Sequence, residues 1–196
     1  MNGYCLSMNL KVKKTDILLT VVLICVGVVL RLLVADYPNI SPVAALALLA
    51  GYVLVHRGLA VAVPLGILLV SDLQFGASNP IVMISVYSLL ALPVLAGKPL
   101  RNLHRSGKSP TLNFASVGVS GVVFSILFYV GTNFAFWVSS SFYTKDMAGL
   151  LECYAAALPF FRQTLLGDMI FVSLFFCGYA ICKLWLFQKQ TSLSRN

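Results

Sequence analysis

The stretch ILLTVVLICVGVVLRLLVA, residues 17–35, decides the architecture. Its 19 positions carry a single charge, Arg31, and a helix of that length, at about 1.5 Å per residue, reaches across the roughly 30 Å hydrocarbon core of a bilayer. Lys11, Lys13 and Lys14 precede it, as they would in a secretory leader, but the run is longer than a usual leader core and no small-x-small cleavage site follows Leu33, Val34 and Ala35. The stretch reads as a first membrane span.

The rest of the 196-residue chain has the same character. It is 59% hydrophobic and 10% charged, against about 25% charged in ordinary soluble domains, and its mean hydropathy is +0.91. A chain of this composition cannot hide its apolar side chains inside one water-facing globule. Hydropathy and its interruptions place further spans at about 43–55, 59–71, 81–96, 113–138 and 164–187, giving an all-α integral membrane protein of six helices. Six spans consume about 120 positions, so residues 1–196 are expected to form a single membrane domain. The second and third spans look short for a bilayer, and Pro38 and Pro42 interrupt the chain between the first two. Pro159 is read as lying ahead of the last helix, after a polar segment at 139–152 and a short apolar piece at 153–158.

Orientation follows from the distribution of the 14 Lys and Arg residues. With the N-terminus cytoplasmic, Lys11, Lys13, Lys14, Arg57, Lys98, Arg101, Arg105, Lys108, Lys183, Lys189 and Arg195 fall on the inner side, and Lys145 and Arg162 on the outer side. Both termini of this multi-pass protein are therefore expected in the cytoplasm. The net charge of +8 follows from this bias and implies no nucleic-acid partner. The five cysteines form no framework: Cys25, Cys177 and Cys182 lie in apolar runs, Cys5 near the basic N-terminus and Cys153 alone, and all read as buried free thiols.

Most of the acids fall at the other side. Asp36, Asp72, Asp146 and Glu152 lie in or beside outer loops, Asp168 in the outer part of the last span, and only Asp16 inside. Ionisable groups at membrane depth are costly and mark either a functional site or a structural ion pair. Arg31, Asp72 and Asp168 are such groups; Asn39, Ser71, Tyr87 and Asn133 share their depth, and Tyr129, Asn133 and Trp137 follow one another on one helical face. These residues predict a polar and aromatic cup that opens outward, with Arg31, Asn39, Asp72, Tyr87, Asn133, Trp137 and Asp168 as its binding residues. The plainer reading pairs Arg31 with Asp72 or Asp168 to fix helix packing and assigns Trp137, Tyr37 and Tyr143 to an interfacial aromatic belt. Ala47 and Gly51, four residues apart, read as a close helix contact.

Catalytic motifs are sparse. His56 and His104 fall in basic inner loops and share no helical face with a carboxylate, so neither a metal site nor a histidine-based triad is expected. No phosphate-binding glycine loop and no H-E-x-x-H occurs, and no cofactor is implied. Asp72 with Gly167 and Asp168 has a faint likeness to a two-aspartate intramembrane protease, but position 165 is Leu165 where those enzymes carry glycine.

Four ordered stretches carry a resemblance: 38–48 (PNISPVAALAL), Val63-Pro64-Leu65 through Ser71-Asp72-Leu73, Thr132-Asn133-Phe134-Ala135-Phe136-Trp137, and Gly149 through Tyr154 continuing to Pro159-Phe160-Phe161 and Gly167-Asp168. The chain resembles the DUF6580 type of small bacterial transport proteins, which is similar to the substrate-binding S-components of energy-coupling-factor vitamin transporters. The resemblance implies a six-helix, S-component-like protein that binds a vitamin-sized molecule in an outward-facing cup for uptake, with a membrane coupling protein and ATPases as candidate partners. Solitary cobalamin transporters are the nearest functional relatives it implies, which makes cobalamin or a related corrinoid one candidate substrate. Those transporters ligate cobalt through a cysteine in the loop after helix three, whereas residues 72–80 here contain none, so no protein-held metal is expected. The alternatives are an intramembrane enzyme using Asp72 and Asp168, or a non-transporting structural subunit.

The charge bias makes a direct prediction. A reporter fused after Asn196 is cytoplasmic, and one inserted between Tyr143 and Lys145 is on the outer side; cytoplasmic labelling of that insertion overturns the six-span reading.

Overall fold

A computed structural model describes residues 12–76, 79–106 and 113–193 as seven helices with no strand among them: α1 (Lys14–Leu33), α2 (Val43–Val53), α3 (Arg57–Phe75), α4 (Pro80–Ala91), α5 (Pro93–Ser106), α6 (Phe114–Ser139) and α7 (Met147–Leu193). Cys5, Lys11, Lys108 and Arg195, together with Ala77 and Ser78 of the loop after the third helix, lie outside the described residues. Among the described residues, five helical stretches are long and apolar enough to cross a membrane: α1, α3, the run Pro80–Arg105 formed by α4 and α5, α6, and α7 as far as Leu186. The architecture is that of an all-helical, multi-pass membrane protein. The sixth apolar helix, α2, is only 11 residues long.

That short helix occupies the centre. Val43, Ala45, Leu46, Ala47, Leu48 and Ala50 are almost fully buried, and α2 touches every other helix of the bundle. α1 lies against α3, α4 against α6, and α6 along α7, completing the shell around it. Apolar residues all round a helix are the sequence signature of such a position, because no face meets water. The outer faces of α1, α6 and α7 are also apolar, with Leu33, Val119 and Ile170 each more than half exposed, as lipid contact requires.

Three boundaries differ from the sequence reading, each for a local reason. α3 continues to Phe75, because Ser71 bonds back to the carbonyl of Ile67 (2.6 Å) and the Asp72 carboxylate has a cationic partner; the helix then stops at Gly76, whose φ of 83° an L side chain rarely adopts. The predicted fourth span and the basic segment after it are one bent helical run, since Leu92 stays helical and only the missing N–H of Pro93 separates α4 from α5. His104 is accordingly a helical, buried residue and not a loop residue. The last helix starts at Met147 and not at 164, with Pro159 inside it: Asp146 Oδ1 accepts the Gly149 N–H (2.8 Å) and the Thr144 hydroxyl (2.8 Å), capping the first turn. These two hydrogen bonds, the Gly149 amide above all, hold the Asp146 carboxyl below its ordinary range. Of the cysteines expected to be buried, Cys153 is, whereas Cys25, Cys177 and Cys182 face outward from the bundle.

The closest backbone approach is between α2 and α5. A Cβ at Gly51 would lie 2.2 Å from the Val94 carbonyl oxygen, and one at Gly97 would lie 2.0 Å from the Gly51 carbonyl carbon, so only glycine allows this contact. Gly97→Ala is expected to force the two backbones apart and to destabilise the protein by about 1–3 kcal/mol. Gly178→Ala, where nothing lies within 4 Å, should be neutral or slightly stabilising. Unfolding in detergent checks the pair, and equal effects would remove the α2–α5 contact as the cause.

Candidate functional site

The predicted site residues converge at one end of the bundle, where α1, α3, α4, α6 and α7 surround the N-terminus of α2. Arg31, in the last turn of α1, donates from Nη1 to Asp72 Oδ1 at 2.7 Å and also to the Ser71 hydroxyl. Ser71 spends its own proton on the Ile67 carbonyl, which leaves its oxygen free to accept. The other carboxylate oxygen of Asp72, Oδ2, accepts the Tyr87 hydroxyl at 2.9 Å, so one carboxylate joins α1, α3 and α4. The Arg31 guanidinium lies 5.2 Å from the centre of the Phe75 ring, within cation–π range. Arg31 and Asp72 are thus an ion pair, as the plainer sequence reading allowed, and Asp168 is held separately.

Asp168 sits on the inward face of α7 and is 5% exposed. Its Oδ2 accepts the hydroxyl of Ser125 on α6 at 2.6 Å. Sequence reasoning missed Ser125, whose only signal is a small polar side chain flanked by the apolar runs 122–124 and 126–128, 43 positions from its partner.

Above the N-terminus of α2 the structure leaves a cavity of about 230 Å³. Arg31, Asn39 and Asp168 border it amid apolar and aromatic walls that include Phe75, Phe124 and Phe128. Asn39 belongs to the connection between α1 and α2 and has a φ of 64°, a left-handed conformation that asparagine tolerates better than most residues. A second hollow of about 130 Å³ shares Asn39, Phe128 and Thr164 with the first and extends to Asn133 and Tyr129. Asn133 spends its amide N–H on the Tyr129 carbonyl (2.8 Å), and Tyr129 donates to the Tyr154 carbonyl (2.6 Å), joining α6 to α7.

Five of the seven expected residues therefore meet around the first cavity, Asp72 through its ion pair with Arg31 and Tyr87 through its bond to Asp72, and Asn133 borders the neighbouring hollow. Trp137 borders neither. Its indole N–H donates to the Thr144 carbonyl (2.9 Å) and Lys145 lies over its ring, 5.4 Å from the centre, so it anchors the connection between α6 and α7. Its place near a helix end fits the aromatic-belt reading. No group of three or more His, Cys, Asp or Glu side chains able to hold a metal occurs among the described residues.

The Arg31–Asp72 pair is a target for a coupled test. Replacing one partner leaves a charge without its counter-ion in a poorly solvated place, at a cost of about 3 kcal/mol, the low end for buried pairs because each side chain keeps about a fifth of its surface exposed. Arg31→Met or Asp72→Leu alone is expected to lower stability by this amount, and the double variant by less than the two combined. Strict additivity in detergent unfolding would show that the pair is not energetically coupled.

No curated protein and no solved structure matches the chain. A family model matches residues 11–190, almost its whole length. The chain belongs to the DUF6580 family, a family of unknown function.

Proposed function

We propose that this protein is a substrate-binding membrane protein of the S-component kind, taking up a small organic molecule through the cavity bordered by Arg31, Asn39 and Asp168. The observation that carries the reading is the composition of that cavity. Largely apolar, aromatic walls with a few placed polar groups are what a ligand site needs, and the volume of about 230 Å³ lies just below the roughly 300–1,000 Å³ of drug-sized sites. The dimensions favour a single ring system with a polar substituent over a corrinoid, which is far larger. Arg31 and Asn39 offer hydrogen-bond donors, and Phe124 and Phe128 offer apolar faces for a ring.

The charge bias supports a cytoplasmic location for both termini in a bacterial inner membrane, which turns the cavity end outward. A coupling protein with ATPases is the partner that the S-component reading requires. No observation favours the two-aspartate enzyme: Asp72 is taken by Arg31 and Tyr87, Asp168 by Ser125, and no hydrogen bond joins the two carboxylates among the described residues. A protease of that kind places both carboxyl groups on one reacting centre.

The test is native mass spectrometry of protein purified in mild detergent from cells grown on rich medium, followed by thermal-shift measurements with a panel of water-soluble vitamins. A small molecule should be retained by the wild type and lost from Thr164→Phe, which fills the junction of the two hollows, and from Asn39→Gly, which removes the amide but keeps the left-handed backbone accessible. Retention undiminished in both folded variants, or no ligand and no shift with any vitamin, overturns the reading and returns the protein to the structural-subunit class.

A further inference from the structure

The opposite end of the bundle holds a second cavity that the uptake reading does not use. It is about 940 Å³ and lies between the C-terminus of α2, the N-terminus of α3, α5 and α7. Five cations border it: Arg57, Lys98, Arg101, Arg105 and Lys183. Not one of the chain's six carboxylates does.

The positive-inside bias explains why cations favour this end, but not why five from three separate helices border one hollow. Long cationic side chains at a membrane surface can point away from one another toward water and headgroups. Pooled in a concavity with no counter-charge they repel, and that repulsion is relieved by an anion. Two further features point the same way. The N-terminus of α3 faces the cavity through His56, Arg57 and Gly58, and no side chain caps it, so the positive end of the helix dipole and its first amides are directed there. The Nδ1 atom of His56 is buried with no hydrogen-bond partner among the described residues.

The cavity is also firmly built. Tyr52, at the end of α2, is hydrogen-bonded to His104 Nδ1 (3.1 Å), and His104 Nε2 to the Ser116 hydroxyl (2.8 Å). Ser116 donates its proton to the Asn113 carbonyl (2.8 Å), so it accepts from Nε2–H, and Nδ1 pairs with the Tyr52 hydroxyl. The His104 ring therefore ties α2, α5 and α6 together beneath the cations. Arg101 donates to the Tyr52 carbonyl (3.0 Å), which positions it at the C-terminus of α2. Arg57, Lys98, Arg105 and Lys183 are exposed.

We infer that this basic cavity binds a phosphate-bearing anion. Guanidinium groups match phosphate oxygens two at a time, and basic pockets between membrane helices on the cytoplasmic side hold lipid headgroups by this chemistry. A soluble phosphate compound would be held by the same groups, and the experiment separates the two sources. The site is independent of the Arg31–Asn39–Asp168 cavity, so its test stands whether or not that cavity binds a vitamin.

Full-length, delipidated protein in neutral detergent is titrated with pyrophosphate and, separately, with phosphatidylglycerol or cardiolipin in mixed micelles, and melting temperature and native mass spectra are recorded. At least one probe should raise the melting temperature saturably, and its affinity should fall as ionic strength rises. Lys98→Gln/Arg105→Gln should weaken that probe by about tenfold or more, the loss of about one charge-assisted hydrogen bond. Lys13→Gln/Lys14→Gln, which removes the same charge from the start of α1 outside the cavity, should leave the affinity unchanged. Binding of lipid alone identifies a headgroup site, and binding of pyrophosphate alone identifies a soluble ligand. Equal weakening by both double variants reduces the effect to surface charge and overturns the proposal, as does the absence of any saturable shift.

Discussion

A central helix shorter than its neighbours sets the plan of this protein. α2 has 11 residues, about 16 Å of rise, whereas α3 with 19 and α6 with 26 reach about 28 and 39 Å. A bundle closed around so short a core has filled space only in its middle, and a hollow remains beyond each end of α2. The described cavities lie there: one bordered by Ser41 and Ala44 at its start, the other by Tyr52 and Val53 at its finish. The fit in between is tight because alanines and Gly51 let α3, α5 and α7 come close, so neither hollow can close by collapse of the core.

The two ends are finished with different chemistry. At the first, charge is neutralised locally: Asp72 takes a hydrogen bond from Arg31 on α1 and another from Tyr87 on α4, so three helices are tied without net charge. An isolated carboxylate there would be costly at membrane depth, and the pair with its tyrosine removes most of that cost while leaving Arg31 on the cavity wall. Structural and binding readings of Arg31 are therefore compatible. The same side chain that locks α1 to α3 also borders the space a ligand would fill.

The sequence made the spans and the grouping of polar residues legible, because both depend on hydropathy and depth, which are local properties. Arg31, Asn39 and Asp168 could be placed at one level by counting residues along their helices, and they share a cavity wall. Helix ends were less legible. Pro159 reads as lying ahead of the last helix, yet it sits inside it, where neighbouring turns hold the path despite a missing N–H. Partner choice was legible only for Arg31, whose ion pair with Asp72 is one of the two pairings its depth allowed. Asp168 takes Ser125 and Trp137 takes the Thr144 carbonyl because of helix rotation and loop path, and neither leaves a trace in residue spacing.

Charge shows most clearly what composition conceals. A net +8 spread over a soluble surface would invite nucleic acid, but here it is the sum of two unlike ends. Asp72 and Asp168 lie at the cavity end, with Asp36, Asp146 and Glu152 in or beside the connections there, while Arg57, Lys98, Arg101, Arg105 and Lys183 face one hollow at the other end. Asp72 is met by a cation and Asp168 by a hydroxyl inside the chain. No carboxylate lies within the second cavity, and only Asp16, in the first turn of α1, stands at that end of the bundle. The chain cannot complete the electrostatics of its basic end from its own residues, and the compensating charge has to come from outside it, from the membrane surface or from a bound anion.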